Sequence, residues 1–418
     1  MTRLPFLLVL LLVLPTVRAE PVELTSSLSL DQLVTAALAE NAQLHAMRAK
    51  WEAMRERPAQ ARSLANPMFK YSGMDMTDSG SWPNTDEKRF MVEQEFPWFG
   101  KRGLKGQIAA KDAEAMGREY EAMQREVVMM VKESYFDLYA VQQSLVATRE
   151  EEAVLKRMAQ IAETMYSTGE RSQADVLQAQ AECTMLRTRL LELEQQEATL
   201  KAKLNLLLNR PADAPVGIAV TPPQESFSAE TAGLFDVAAS HRAEIKQAQA
   251  LVERNQAERA LMQREFLPDY RLGVEYRAFR SSEDMVMFTI GFDIPIWFNK
   301  YRAGVREAEK MIESSEAAVA AARAQTGYDV QDARFKWQTA RQTLALYRDE
   351  LIPQAQARFK ASEAGYRTGK TNFMDLLESE RFLLNTRVMA AMAEGKVGME
   401  AARLERAVGT ELPRMEVK

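Results

Sequence analysis

The feature that most constrains this chain is an internal repeat. Tyr166-Ser167-Thr168-Gly169, followed by Asp175-Val176-Leu177, returns as Tyr366-Arg367-Thr368-Gly369, followed by Asp375-Leu376-Leu377. The shared Tyr, Gly, Asp and Leu keep one offset of 200 residues, and Pro67 and Pro268 repeat at 201. A 418-residue chain with a period near half its length is two copies of one unit rather than two unrelated domains.

Each unit opens with a helical pattern. Ser29 and Gln32 read as a capping box, and Leu30, Leu33, Val34, Ala37, Leu38 and Leu44 form the apolar stripe of a helix running to about Leu64. Its counterpart runs from about Ala229 to Phe266, before Pro268. After each proline the period changes to two. Tyr270, Leu272, Val274, Tyr276 and Ala278 alternate with Arg271, Gly273, Glu275 and Arg277. Past a polar turn, Val286, Phe288, Ile290, Phe292 and Ile294 alternate with Met285, Met287, Thr289, Gly291 and Asp293. That is a β-hairpin over 269–294 with one apolar and one largely polar face. A weaker copy over 68–96 has strands Met68–Met76 and Lys88–Phe96, a longer loop Thr77–Glu87, and Phe90 and Val92 opposed to Glu93 and Glu95. Strands of about 9–11 residues cross a bilayer when tilted. Both hairpins end in aromatic and basic residues, Phe96-Pro97-Trp98-Phe99-Gly100-Lys101-Arg102 and Ile294-Pro295-Ile296-Trp297-Phe298-Asn299-Lys300, which suit a membrane–water interface. A soluble hairpin packed by one face is the alternative.

Long helices follow. Gly (18) and Pro (15) are sparse, so turns are few and elements long. Residues 107–166 contain no proline, enough for a helix of about 90 Å. The second copy, about Ala303 to Tyr366, is interrupted by Pro353, which should kink it. Gly169 and Gly369 end these helices as left-handed caps, and Ser172 with Asp175 and Asn372 with Asp375 start the return helices. Leu186, Leu190, Leu193, Leu200, Leu204 and Leu207 make a heptad seam with Glu197 in one position. The units are thus 20–210, with a helical hairpin over 101–209, and 229–410, with one over 300–408. A Pro-rich connector (211–228) joins them, and a short tail (411–418) follows.

Residues 1–19 read as an export signal: Arg3, an apolar core from Pro5 to Pro15, and small residues at Val17 and Ala19 before the expected cleavage. No later run is long and apolar enough for a membrane helix, so any span of the exported chain must be β. A net charge of −5 gives nucleic acid no purchase. The lone Cys183 permits no intrachain disulfide and lies far from the signal, so an N-terminal lipid-bearing cysteine is missing. His45 and His241 stand apart from other ligands, and methionines such as Met74, Met76, Met285 and Met287 read as packing and lumen lining rather than a copper site. No nucleophile–base pair, phosphate loop or zinc signature is present, so no enzyme, cofactor or resident metal is expected.

The signal, the twofold helix–hairpin–long helix–return helix repeat, and Tyr-x-x-Gly-x5-Asp at both turns resemble the TolC-type outer-membrane efflux protein family over nearly the whole mature chain. The Phe-Pro-Trp-Phe-Gly-Lys-Arg segment looks like the heavy-metal cation branch. The resemblance implies a mainly α fold with a small transmembrane β part. It also implies a homotrimer in the outer membrane, with a 12-stranded β-barrel over a long periplasmic α-barrel. An adaptor protein and an inner-membrane pump are the implied partners. Four strands per chain could not close a barrel alone, which agrees. The departures are the missing lipidation cysteine and Pro353.

On that resemblance, Tyr166, Gly169, Asp175, Tyr366 and Gly369 are expected at adaptor-docking tips, and Asp375 and Glu378 at a periplasmic gate, where three-fold carboxylate rings would bind cations. Asp375 also suits a plain helix cap. Glu93, Glu95, Arg271, Glu275 and Asp293 are expected in the barrel lumen, and Val286, Phe288, Ile290 and Tyr276 against lipid. The expected function is an exit duct across periplasm and outer membrane, with heavy-metal cations as candidate cargo. The alternative is a periplasmic coiled-coil adaptor, which usually has one helical hairpin and soluble β-domains.

Overall fold

A computed structural model of the chain describes residues 27–74, 86–220, 226–227, 231–412 and 414–415. The export signal and most of the loop Thr77–Glu87 lie outside the described residues. The first unit comprises β1 (Ser27–Leu28), α1 (Leu30–Glu40), α2 (Ala42–Arg62), β2 (Met68–Met74), β3 (Glu87–Phe96), α3 (Lys101–Ser167) and α4 (Gln173–Leu207). The connector holds the short strands β4 (Ile218–Ala219) and β5 (Ser226–Phe227). The second unit comprises α5 (Thr231–His241), α6 (Ala243–Arg264), β6 (Asp269–Phe279), β7 (Met285–Asp293), α7 (Phe298–Ala345), a π-helical turn Leu346–Leu351, α8 (Ile352–Arg367) and α9 (Phe373–Val408), and β8 (Arg414–Met415) follows. The chain is mainly α with one small sheet, and the unit order repeats.

The opening helices differ from expectation. Each is two helices, broken at Asn41 and at Arg242, where the backbone turns extended. Asn41 accepts hydrogen bonds from the Gln43 and Leu44 amides and donates one to the Leu207 carbonyl at the end of α4 (2.9 Å). Arg242 donates to the Ala407 carbonyl at the end of α9 (3.1 Å) and pairs with Asp329 (2.7 Å). Both breaks therefore supply donors to the free carbonyls of a return helix. Ser29 precedes α1, but its side chain caps nothing, so the capping box with Gln32 does not form.

Pro353 does not simply kink its helix. Its ring and missing N–H disturb the preceding turn, and the chain absorbs this by widening Leu346–Leu351 to π geometry before α8 resumes.

α3 is the spine. Its 67 residues span about 100 Å, and it packs against α2, α4, α6 and α9. The return helices α4 and α9 have 35 and 36 residues, about half that length. The α1–α2 and α5–α6 pairs cover the other half, on the side of the sheet. The heptad seam of α4 faces inward, with Leu186, Leu193, Leu204 and Leu207 buried. Its seam Glu197 accepts from Gln142 Nε2 (3.0 Å) and pairs with Lys201 (2.8 Å). Where α9 crosses α3, Gly395 and Gly398 let the backbones close. A Cβ at Gly395 would meet the Phe136 carbonyl oxygen at 2.7 Å, and one at Gly398 the Phe136 ring at 2.3 Å. No helix among the described residues is long and apolar enough to cross a membrane.

Candidate functional site: the sheet and the helical tips

The two units join in one antiparallel sheet of order β2-β3-β6-β7, leaving β2 and β7 as edges. Paired residues share a face, so the register sorts the side chains. Phe69, Val92, Val274 and Phe288 form one row, and Tyr71, Phe90, Tyr276 and Val286 the next. This face is exposed, with Phe288 at 77% and Ile290 at 67%. Contiguous apolar surface of this kind needs a non-aqueous neighbour. The opposite face gathers all five expected lumen residues: Glu93 beside Gly273, Glu95 beside Arg271, Glu275 between Met91 and Met287, and Asp293 across from Asp269. Arg271 pairs with Asp293 at 2.9 Å. Below the sheet, Ile294, Ile296, Trp297 and Phe298 are exposed. There the buried Lys101 joins Asp269 (2.9 Å) and Glu265 (3.4 Å), locking the start of α3 to β6.

The two tips lie at the other end of α3 and α8. Gly169 and Gly369 have φ of +76° and +73°, which a Cβ would disfavour. Their amides donate to Tyr166 and Tyr366, and the next amides to Met165 and Gly365, so both turns close the same way. Ser172 accepts from the Ala174 amide (3.1 Å), and Asn372 from the Asp375 amide (2.8 Å), capping the return helices as expected.

The tips are not equivalent. Tyr166 is 45% exposed, but Tyr366 is 2% exposed, packed on Phe373 under the Arg171 guanidinium. Arg171 also reaches the Thr371 carbonyl (3.4 Å), so Tyr366 joins the tips from inside instead of offering a surface. Asp375 and Glu378 lie together on the exposed side of α9, and Glu378 pairs with Arg358 of α8 at 2.9 Å.

Behind the tips, Arg381 of α9 pairs with the buried Glu182 of α4 (Nε to Oε2, 2.9 Å). Glu151 of α3 and Glu380 of α9 are both buried and meet each other. Burial, then the Glu151 carboxylate, push Glu380 up to about 9. Sequence reasoning passed over this pair, although Glu380 stands one turn from both Leu376 and Leu384 in the apolar stripe of α9. Among the described residues, no group of three or more His, Cys, Asp or Glu could hold a metal ion.

The family described as "Outer membrane efflux protein" matches residues 33–210 and 234–410, one stretch in each unit. The cobalt-zinc-cadmium resistance protein CzcC of Cupriavidus metallidurans is 23% identical over 399 residues, covering 93% of this chain and 92% of that protein. Among solved structures, CusC superposes with a TM-score of 0.79 at 18% identity, covering 91% of this chain and 92% of that one. VceC of Vibrio cholerae gives 0.77 at 18% identity, covering 91% and 96%. The match to both units, more than half of the sequence, identifies a transport family of the outer membrane rather than a family of enzymes: this chain belongs to the outer membrane efflux proteins.

Proposed function

We propose that the chain is the exit duct of a tripartite efflux system and that its cargo is heavy-metal cations. The observation that carries the duct is the sheet. Its strands β3, β6 and β7 have 10, 11 and 9 residues, the length of a bilayer span, and it has an exposed apolar face, a charged opposite face, and unpaired edges at β2 and β7. Open edges are not tolerated in lipid, so three copies joined edge to edge would satisfy every strand in one 12-stranded barrel. Glu93, Glu95, Arg271, Glu275 and Asp293 then line the lumen, and α3–α4 and α7–α9 continue it through the periplasm. The cargo is supported by the name of the relative CzcC and by the exposed carboxylates near the second tip.

The tips at Tyr166–Asp175 and Tyr366–Asp375 serve as the docking ends for an adaptor coupled to an inner-membrane pump. Tyr166, Gly169 and Gly369 offer exposed surface, Asp175 is half-buried beside them, and Tyr366 supports the tips from below. Asp375 and Glu378 form the periplasmic gate, Glu378 being shared with Arg358. Planar-bilayer recording tests the reading. The protein should give stable, cation-preferring channels, and Asp375→Asn with Glu378→Gln should weaken both that preference and block by divalent cations. Absence of channels would sink the duct. Unchanged selectivity and block would leave these carboxylates as helix-end groups.

A further inference from the structure

A duct has no use for two carboxyl groups buried against each other. Glu151 is 2% exposed and Glu380 3%. They sit between apolar layers, with Leu155 one turn along α3 and Leu376 and Leu384 one turn to either side on α9. Glu380 Oε1 has no hydrogen-bond donor. No cation stands in for one. Arg381 is held by Glu182 of α4, Arg189 of α4 by Asn385, and Arg387 of α9 pairs with Glu150 of α3, at 4.0 Å. Lys156 and Arg187 attend Glu152. On α8, Arg358 is held by Glu378 and Lys360 is exposed. Two ionised carboxylates in contact, away from water and cations, repel strongly, so the arrangement holds together only with a hydrogen between them.

We propose that Glu151 and Glu380 form a proton-binding site between the two repeats, and that losing its proton loosens α3 from α9 behind the tips. The bound proton donates from one carboxyl to the other. When it leaves to solvent base, two negative charges face each other across the contact between a first-unit helix and a second-unit helix. The apolar cluster that includes Leu155, Leu186, Tyr366 and Phe373 spans the same contact, so separation there reaches the tips. The site goes beyond the duct reading and stands whatever the cargo.

Infrared difference spectra of the intact assembly, neutral minus alkaline, test the proton directly. A buried protonated-carboxyl stretch should appear in the wild type and be lost in Glu380→Gln. Wild-type spectra without that band overturn the proposal, even if the variant does not fold. Single-channel recording tests the consequence. Wild-type open probability should rise from neutral to alkaline pH, and Glu380→Gln, whose amide donates permanently, should abolish the rise. Glu151→Gln gives the same test from the other helix. An unaltered pH profile in both variants overturns the coupling.

Discussion

Replacing Phe288 by arginine is the sharpest test of which face of the sheet meets lipid. Phe288 is 77% exposed, lies near the middle of β7, and continues the row Phe69, Val92, Val274. At the bilayer midplane an outward arginine costs about 2–4 kcal/mol. At ~1.4 kcal/mol per tenfold, the folded-to-unfolded ratio should fall by about 30- to 1,000-fold. Thr289 is the control, one residue away on the opposite face, with Gly273 beside it and Glu93 beyond. Thr289→Arg should stay within about 0.5 kcal/mol, as for an ordinary solvated position. Urea titration of protein refolded into lipid vesicles reads both values. Equal tolerance of arginine at both positions would mean that the strands are not in a membrane. A larger loss at Thr289 would invert the assignment of faces.

Gly395→Ala should destabilise the protein by about 1–3 kcal/mol in denaturant titration, because its Cβ meets the Phe136 backbone at 2.7 Å; a neutral result would show that α3 and α9 are not held so close. Gly369→Val should abolish export in cells while leaving membrane insertion intact, the strain of a branched side chain at φ +73° costing about 1–3 kcal/mol; failure to assemble would make the turn purely structural. Glu380 is raised above its unfolded value of 4.5, so the folded state binds its proton more tightly. Stability from this site should be full below 4.5 and fall as pH rises toward about 9, as read by thermal unfolding, and Glu380→Gln should flatten that slope.

Much of this architecture was legible because it is written in local signals. Gly169 and Gly369 end helices, Pro67 and Pro268 precede strands, and alternation sorts Glu93 from Val92 without reference to any distant residue. The breaks at Asn41 and Arg242 were hidden because their partners, the Leu207 and Ala407 carbonyls, lie more than 160 residues away. The unlike side chains at the two breaks do the same work. The pairing of β3 with β6, which fuses the hairpins into one sheet, is likewise non-local. Identical tip letters also conceal different surroundings, for Arg171 covers the buried Tyr366 whereas Tyr166 is exposed. Glu380 resisted reading because an acidic residue in an apolar stripe looks like a surface break until its neighbour Glu151 is seen.

The central claim is that several copies of this chain close one barrel in the outer membrane. The most direct measurement is the stoichiometry of the detergent-extracted protein from separated membranes, by native mass spectrometry, with cross-links placed between the β2 and β7 edges. The account predicts outer-membrane fractionation, three chains per assembly, and β2 of one chain linked to β7 of the next. A soluble monomer, or edges that never cross-link, would contradict it.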